Sequence, residues 1–312
     1  MPLTLQQLQC VRQVVDSGYS VSRAAEALHT TQPGVSKMLR ALEREIGIEI
    51  FVRAGNRLTG LTGAGREALA LCGRVLQDAA ALKQLRLAEP AAGDGELRVG
   101  TTHFHARYTL IGVTQRFLAA YPRVKLQFTV GTPALILEQL RQGAIDIGLC
   151  TLPDTTPKGI VSLKAYDIDR CLIVPPRHPL LKVRHVSVEE IARWPLITYD
   201  NGFTSGSVVQ REFQRCGLTP RIVMRAMDAT VIKAYVAAGV GIAVIQKKAF
   251  SAALDKDLRA IDVSQLFPSS NAMLNLRADH LLKPYAFDFM QLVAPAWSRE
   301  AVERQIGAPL ER

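Results

Sequence analysis

The chain has 312 residues, of which 48% are hydrophobic, and it carries a formal net charge of +10 at pH 7. This length predicts two or three compact domains, and the apolar content excludes an intrinsically disordered protein. The positive charge indicates an anionic partner, but it is spread along the whole chain, so it does not distinguish nucleic acid from another polyanion.

The five cysteines are widely spaced, and no two of them form a C-x-x-C pair. This usage is typical of buried free thiols in a reducing compartment, with a reactive sensor cysteine as the alternative. The sequence shows neither a secretory leader nor a run of about 18 apolar residues. We therefore expect a cytoplasmic protein that has no membrane partner.

The first ninety residues predict two short helices followed by a longer one. Apolar residues at helical spacing give a first helix over residues 5–15, and Ser20 is a candidate N-cap for a second. Ala24 and Ala25 in the second helix allow a neighbouring helix to cross closely. A third helix is predicted to begin near Thr31 or Gln32.

The third helix has two opposed faces. Val35, Met38, Leu39 and Leu42 share one side of it, and the opposite side is short, hydroxylated and basic. A recognition helix presents such a polar face to the major groove of DNA, although a lone lysine or arginine there is more typical of a solvated surface. Residues 47–61 then predict a β-hairpin wing with a turn at residues 55–56. The candidate DNA-binding residues are Thr31, Gln32, Pro33, Ser36, Lys37, Arg40, Arg53 and Arg57.

Residues 24–36, 42–47 and 51–53 closely resemble the corresponding segments of the LysR-type transcriptional regulators. The likeness covers about the first 65 residues almost without a gap. It implies a winged helix-turn-helix that binds double-stranded promoter DNA at imperfect inverted repeats, as a dimer or tetramer. It also implies RNA polymerase as a further partner.

A long helix is predicted to start at Thr62 and to run to about residue 88. Its apolar residues alternate at spacings of four and three, namely Ala68, Cys72, Val75, Ala79 and Leu82. This spacing predicts a coiled-coil seam for dimerisation, and packing on the chain's own winged helix is the alternative. We therefore divide the chain into a DNA-binding domain (residues 1–61), a linker helix (62–88), a hinge rich in proline and glycine (89–95) and an effector-binding domain (96–312).

Beyond the hinge, strand and helix patterns alternate, which predicts an α/β domain with a largely parallel sheet. Strands are predicted at residues 96–101, 125–130 and 144–150, and helices at 106–120 and 135–141. A second set runs from residue 171 to 261, and a last strand (272–277) and helix (284–298) return to the first lobe. This two-lobed arrangement resembles the periplasmic-binding-protein-like effector domain of the same family. Lobe I would comprise residues 96–165 and 268–312, and lobe II residues 166–267.

In such a fold a ligand binds in the cleft, at strand ends and helix N-termini. Several threonines are predicted to lie at such positions in both lobes, although each one alone could be a helix cap or a strand former. The candidate effector-binding residues are Thr101, Thr102, Phe104, His105, Thr132, Thr151, Thr198 and Thr204. Hydroxyl groups with few fixed charges suit a small anion or zwitterion.

Residues 101–103, 106–108, 121–124, 202–204, 217–223, 228–229 and 231–233 resemble one branch of the family, the cysteine-regulon activators (CysB-like). The resemblance implies control of genes for sulfur assimilation or for sulfonate and cysteine metabolism. It also implies that Thr102, Thr151, Thr198 and Thr204 contact sulfate, acetylserine or a related sulfur metabolite.

The chain departs from that branch at Phe104 and His105, where the branch has a small hydroxyl residue and a glutamine. We expect Phe104 to narrow or reshape the pocket and His105 to add a group that titrates near neutrality. Asp200 would disfavour a bare dianion.

No motif of a nucleophilic, metal-dependent or nucleotide-dependent enzyme stands in a credible context. His103 and His105 are spaced as metal ligands could be, but no cluster completes a site. We therefore expect no catalytic activity, no cofactor and no metal. The alternative is a cytoplasmic small-molecule-binding protein or enzyme whose N-terminal helices serve only assembly, and the opposed faces of residues 33–42 disfavour it.

Overall fold

The computed structural model of this chain describes residues 3–55, 57–85, 95–152, 157–279 and 282–307. The chain divides into two compact units, residues 1–91 with 141–144, and residues 92–140 with 145–312. The predicted hinge at residues 89–95 lies outside the described residues except for Gly95.

The first unit is a winged helix-turn-helix, as the sequence predicted. Its elements are α1 (Leu5–Asp16), α2 (Val21–Ala27), α3 (Gln32–Ile46), the antiparallel hairpin β1 (Phe51–Ala54) and β2 (Arg57–Leu61), and α4 (Gly63–Leu85). The hydroxyls of Thr4, Ser20 and Thr31 cap α1, α2 and α3 by accepting a backbone N–H of the first turn. Gly47 ends α3 in the left-handed conformation, with a φ of 72°. The helix boundaries are therefore set by local chemistry.

One apolar core holds the first unit together. It joins Val11 and Val14 of α1 to Ala24 of α2 and to Val35 and Leu39 of α3. These five side chains are almost fully buried, with exposed fractions of at most 2%. The small alanine lets α2 lie close to its neighbours, so burial of these faces leaves the polar side of α3 to solvent.

Helix α4 does not present the single seam that the sequence predicted. Ala68 and Cys72 are buried in the core of the first unit, whereas Val75 and Leu82 are 43% and 67% exposed. The first half of the predicted seam is therefore used within the chain's own winged helix, and only the second half is available to a partner. Leu71, which the seam did not include, is also exposed, at 51%.

In the second unit, lobe I is built on a five-stranded sheet. Its elements are β3 (Gly95–Thr101), α5 (His103–Tyr108), α6 (Leu110–Ala120), β4 (Val124–Val130), α7 (Pro133–Arg141), β5 (Ile147–Cys150), β6 (Ile160–Ile168), β12 (Ser270–Arg277), α11 (Pro284–Val293) and α12 (Arg299–Gly307). The strand order is β4-β3-β5-β12-β6. Strands β4, β3 and β5 are parallel, but β12 is antiparallel to both β5 and β6. The sheet is therefore mixed, but only β12 is reversed and the other four strands run in the same direction, so the sheet is largely parallel, as the sequence predicted.

Strand β6 was not predicted, because polar residues such as Lys164 and Asp167 interrupt its apolar pattern. It is an edge strand, and it forms by pairing with β12, about a hundred residues further along the chain. Asn275 of β12, fully buried, accepts a hydrogen bond from the Ser162 hydroxyl at 2.7 Å and donates to the Met273 carbonyl at 3.1 Å. Such long-range pairing leaves little trace in local sequence.

Lobe II contains a second sheet. Its elements are β7 (Arg170–Val174), α8 (Val188–Ala192), β8 (Leu196–Tyr199), α9 (Thr204–Arg215), β9 (Ile222–Ala226), α10 (Ala229–Ala237), β10 (Ala243–Gln246) and β11 (Arg259–Asp262). Strands β10 and β11 flank β7 in antiparallel pairing, and β8 pairs in parallel with β9. A bridge between Leu196 and Ile242 links these two groups of strands.

Two crossings connect the lobes, one between β6 and β7 and the other before β12. The buried Arg170 guanidinium donates one hydrogen bond to the Ser270 hydroxyl at 2.5 Å and another to the Pro268 carbonyl. The Ser269 hydroxyl donates to the Asp169 carboxylate at 2.6 Å. The two crossings are therefore bonded to each other directly.

Two predicted helices are divided in the structure. The helix expected at 106–120 is split into α5 and α6 at Thr109, whose hydroxyl accepts a hydrogen bond from Tyr166 at 3.1 Å. The helix expected at 284–298 ends at Val293, and α12 follows it. Pro295 explains that end, because proline lacks an N–H and disfavours helix at the residue before it.

None of the helices in the described ranges is both long and apolar enough to span a bilayer. Of the five cysteines, only Cys216 is exposed. Burial raises the pKa of the Cys10 thiol to about 11 and that of Cys150 to about 12. These two thiols stay protonated at neutral pH, which makes them poor nucleophiles.

Candidate functional site

The outer face of α3 carries the first group of candidate residues. The side chains of Gln32, Pro33, Lys37 and Arg40 are exposed, and Ser36 is half-buried. They lie opposite the buried apolar face of the same helix. The Thr31 hydroxyl instead accepts the backbone N–H of Gly34 at 3.3 Å, so it caps the helix.

The Glu43 carboxylate connects α3 to the wing. It accepts hydrogen bonds from the backbone N–H groups of Ile50 and Phe51 at 3.0 and 3.3 Å, and it pairs with the Arg53 guanidinium at 2.7 Å. Arg53 is therefore held by the protein itself, whereas Arg57 on β2 is exposed. Glu43 was not among the predicted site residues, and its role as a positioning group follows only from the tertiary structure.

A cavity lies between the two lobes of the second unit, where β3, β5 and β8 end. Its lining combines hydroxyl, aromatic and aliphatic side chains from both lobes: Thr102, His103, Phe104, His105, Pro133, Thr151, Ile168, Tyr199, Phe203, Thr204, Ser205, Met227, Asp228, Ala229 and Gln246. The enclosed volume is about 30 Å³, which is room for about two water molecules. A larger ligand therefore requires the lining side chains or the lobes to move.

Five of the eight candidate effector-binding residues line this cavity, namely Thr102, Phe104, His105, Thr151 and Thr204. The other three do not. The Thr101 hydroxyl donates to the Leu149 carbonyl at 3.1 Å within the sheet, and the Thr132 hydroxyl accepts the backbone N–H of Leu135 at 3.3 Å in the first turn of α7. Thr198 is buried in β8, at 4% exposed.

One hydrogen bond joins the two lobes at the cavity, and two more lie within lobe II. The hydroxyls of Thr151 in lobe I and Thr204 in lobe II lie 2.6 Å apart. The Tyr199 hydroxyl donates to the Gln246 side-chain oxygen, and the Gln246 amide donates to the Ser205 hydroxyl at 2.8 Å. The Thr102 hydroxyl, at the N-cap of α5, makes no capping hydrogen bond. It is therefore available to a ligand.

His105 is almost fully buried, and its Nδ1 shares a hydrogen bond of 2.6 Å with the Tyr166 hydroxyl. Burial, together with the positive charge of Lys248, lowers the pKa of His105 to about 3. The prediction that this residue titrates near neutrality was wrong, because the sequence does not reveal how completely the lobe covers it.

The cavity also contains residues that the sequence did not single out. Tyr199 and Gln246, which are hydrogen-bonded to each other, contribute polar groups to its lining, and Asp228 contributes a carboxylate. Asp200, the carboxylate considered from the sequence, is not among the lining residues, and it accepts the backbone N–H of Gly202 at 3.1 Å. Tyr199 is the last residue of β8, so the alternation of strand side chains was a usable signal.

In the described part of the chain, no group of three or more histidine, cysteine, aspartate or glutamate side chains is arranged to hold a metal ion. His103 and His105, which share a spacing that metal ligands use, have different surroundings. His103 is exposed, whereas His105 is bound to Tyr166.

Two family descriptions match the chain. The "bacterial regulatory helix-turn-helix protein, lysR family" matches residues 5–66, and the "LysR substrate binding domain" matches residues 91–298. The HTH-type transcriptional regulator CysB of Haemophilus influenzae is 36% identical over 302 residues, which cover 97% of this chain and 93% of that protein. The HTH-type transcriptional regulator SsuR of Burkholderia cenocepacia is 37% identical over 293 residues, covering 94% of this chain and 95% of that protein.

Among solved structures, the cofactor-binding domain of the Cbl transcriptional regulator is similar to this chain with a TM-score of 0.67 and 34% sequence identity. The match covers 69% of this chain and 95% of that domain.

The buried His105 gives the stability of the protein a specific pH dependence. As the pH falls from about 6.5 towards 3, the unfolded state binds a proton at His105 that the folded state does not. Above pH 6.5 the neutral His105 therefore does not lower the free energy of unfolding. Below that pH, the free energy of unfolding falls by about 1.4 kcal/mol for each pH unit.

Between pH 6.5 and pH 5 we expect the wild type to lose about 2 kcal/mol more than His105→Gln, measured by urea unfolding. His185→Gln, which changes an exposed histidine, should follow the wild type. Parallel pH profiles for the wild type and His105→Gln would show that His105 is protonated in the folded protein.

Proposed function

Because this chain belongs to the LysR family of bacterial transcriptional regulators, we propose that it binds promoter DNA through α3 and the wing and senses a small molecule in the inter-lobe cavity. The observation that carries the DNA-binding part is the two-sided α3, which is apolar towards the core and basic and polar towards solvent. Since promoter DNA lies in the bacterial cytoplasm, the protein would act there.

The exposed face of α3 divides into two kinds of contact. The amide of Gln32 and the hydroxyl of Ser36 can reach base edges or phosphate, and Pro33 and the Thr31 cap lie beside them at the start of the helix. Lys37 and Arg40 supply charge to the phosphate backbone. In the wing, Arg57 is exposed for a similar contact, while Arg53 contributes through its pair with Glu43. Sequence selectivity and electrostatic affinity would therefore reside on different side chains.

Replacing Arg40 with alanine should weaken binding to operator DNA and lower the slope of log affinity against log salt concentration by about 1, because one phosphate contact is lost. Fluorescence anisotropy with labelled operator at several salt concentrations measures both quantities. Arg12→Ala is the matched control, since Arg12 lies on α1 and pairs with Asp16. An unchanged salt slope for Arg40→Ala would remove this arginine from the interface.

We propose that α4 joins two copies of the chain. The exposed side chains of Leu71, Val75 and Leu82 fall within about 40° of one another around a helix of 3.6 residues per turn. They form one apolar stripe, next to the side of α4 that packs in the core of its own unit. A second copy of this helix would cover the stripe in the manner of a coiled coil.

A double substitution of Val75 and Leu82 by glutamate should convert the protein from an oligomer to a monomer, because it places charge in the stripe. Light scattering at micromolar concentration measures the mass. Arg66→Glu changes the charge of an exposed residue on the opposite side of α4 and should leave the mass unchanged. An oligomer that survives the double substitution would place the main contact between copies elsewhere.

For the effector we propose a small anionic or zwitterionic sulfur metabolite, of the kind represented by sulfate and acetylserine. Support comes from the hydroxyls of Thr102, Thr151 and Thr204, which converge on the cavity from both lobes. The regulators CysB and SsuR, with 36% and 37% identity, support control of sulfur assimilation, sulfonate or cysteine genes. Binding of such a molecule would replace the direct Thr151–Thr204 hydrogen bond and thereby change how far the lobes close.

Replacing Thr102 with valine should weaken effector binding about tenfold, because a hydrogen bond from this uncapped hydroxyl is worth about 1 to 1.5 kcal/mol. The tightest ligand from a thermal-shift panel of sulfate, thiosulfate, O-acetylserine and N-acetylserine would be titrated by calorimetry. Thr198→Val is the control, since Thr198 does not line the cavity. Both variants should bind operator DNA normally without effector. Equal affinities for wild type and Thr102→Val would move the effector site elsewhere.

The similar proteins are transcriptional regulators, and we propose that this chain likewise has no enzymatic activity and needs no cofactor. In the cavity, the Nδ1 of His105 is bound to Tyr166 and does not activate a nucleophile.

We further propose RNA polymerase as a partner at the promoter. The working division of the chain is a DNA-binding domain (residues 1–61), a dimerisation helix (62–88) and an effector domain (96–312) whose lobes meet at Asp169 and at residues 268–270.

A further inference from the structure

Helix α5 carries two residues that line the inter-lobe cavity beyond its first position, Phe104 and His105, and Thr102 is its N-cap. The helix has only six residues, so its own backbone hydrogen bonds hold it weakly. Its position therefore depends on what packs against it. Two tyrosines have this role, Tyr108 at the last position of α5 and Tyr166 on β6.

Each tyrosine is connected to α5 by a different contact. The Tyr166 hydroxyl shares a hydrogen bond of 2.6 Å with Nδ1 of His105, and it donates to the Thr109 hydroxyl at 3.1 Å. The Tyr108 ring packs against the Phe104 ring, with 5.8 Å between the centroids. A displacement of either tyrosine would therefore move a residue that lines the cavity.

Lobe II places one lysine over each of these two tyrosine rings. The Lys248 ammonium lies 4.8 Å from the centroid of the Tyr166 ring, and the Lys233 ammonium lies 5.6 Å from that of the Tyr108 ring. Both distances fall within the range of a cation–π interaction. The positive charge of Lys248 also lowers the pKa of His105, which agrees with its position beside α5.

The two lysines differ in their other partners. Nζ of Lys233 donates to the Asp255 carboxylate at 2.8 Å and to the Ala249 carbonyl at 2.9 Å. The side chains of this ion pair are only 14% and 13% exposed, so replacing Lys233 would also disrupt the fold. Lys248 is exposed and lies on a short 3-10 turn, Lys247–Ala249, that follows β10. Its replacement therefore tests the contact with Tyr166 at little cost to the fold.

We propose that Lys233 and Lys248 are positioning residues of the effector site, which hold α5 against lobe II through the rings of Tyr108 and Tyr166. Neither lysine lines the inter-lobe cavity, so neither contacts a ligand bound there. Their contribution is to keep Thr102 in place before the ligand arrives, because a preorganised site loses less freedom on binding. The inference rests on the proposed effector site and adds to it residues from outside the cavity.

The test is calorimetric titration of the full-length protein and its variants with sulfate and with N-acetylserine. Lys248→Met keeps an unbranched side chain but removes the charge, and it should weaken binding of both probes about two- to fivefold, the range for loss of an exposed cation–π contact. Lys248→Arg should restore the affinity, because a guanidinium also stacks on an aromatic ring. Lys247→Met is the matched control, since Lys247 pairs with Asp262 at the surface, and it should bind as the wild type does.

The two probes separate positioning from a direct effect of charge on the ligand. Sulfate carries two negative charges and N-acetylserine carries one. A direct Coulomb effect of Lys248 would therefore be about twice as large for sulfate, on a logarithmic scale of affinity. A shift of α5 should instead weaken binding of both probes by the same factor.

A second variant tests the connection through Tyr166. Tyr166→Phe keeps the ring next to Lys248 but removes the hydroxyl that holds His105 and Thr109. Because Lys248 acts through this hydroxyl, Lys248→Met should have little further effect on affinity in the Tyr166→Phe background. Additive losses in the double variant would show that Lys248 acts by another route.

Four results would each overturn this inference: unchanged affinity in Lys248→Met, no recovery in Lys248→Arg, additive losses in the double variant, or a logarithmic loss for sulfate about twice that for N-acetylserine. The proposed effector site has a separate criterion. If Thr102→Val weakens binding and Lys248→Met does not, the site stands and the positioning role is wrong. If Thr102→Val leaves the affinity for both probes unchanged, or neither probe binds the wild type at millimolar concentration, the effector site is wrong and the inference falls with it.

Discussion

The buried Arg170 guanidinium is the interaction on which the effector half of the molecule depends. It lies at the first crossing between the lobes and hydrogen-bonds to Pro268 and Ser270 in the second crossing, while Asp169 binds Ser269. A buried charged group that lost these partners would be strongly destabilising, so the two crossings stay together. With the crossings fixed, β6 and β12 can pair as neighbours, and the ends of β3, β5 and β8 face a common cavity.

The DNA-binding half has a comparable constraint in the Glu43 carboxylate. Glu43 lies in the C-terminal part of α3. Its carboxylate accepts two hydrogen bonds from backbone N–H groups next to the wing and one from the Arg53 guanidinium. The wing is thereby held at a defined position relative to the recognition face of α3.

A regulator needs both a DNA-binding surface and an effector site, and a change at one alters the other only through a conformational equilibrium that both influence. In lobes I and II, the Thr151–Thr204 hydrogen bond is a contact that an effector would change directly.

The chemistry of the cavity is governed by burial more than by the residue types that line it. His105 is neutral because it is buried and hydrogen-bonded to Tyr166. The Phe104 ring packs against the rings of His105 and Tyr108. Of two nearby carboxylates, Asp228 reaches the cavity and Asp200 is used in a local turn.

The sequence by itself determined the winged helix-turn-helix, because N-caps at Ser20 and Thr31, the glycine at 47 and the two faces of α3 are encoded by residues within one or two helical turns. Five of its eight candidate effector residues line the inter-lobe cavity, and three of these five are threonines at strand ends or helix starts, which is a local signal. The tertiary structure decided what depends on distant partners. The hydrogen bond between Ser162 and Asn275, 113 residues apart, helps to hold β6 in the sheet. Ala68 and Cys72, which the sequence assigned to the dimerisation seam, are instead buried in the core of the winged helix. Burial likewise sets the charge of His105, because the side chains that exclude water from it come from elements that are remote in the chain.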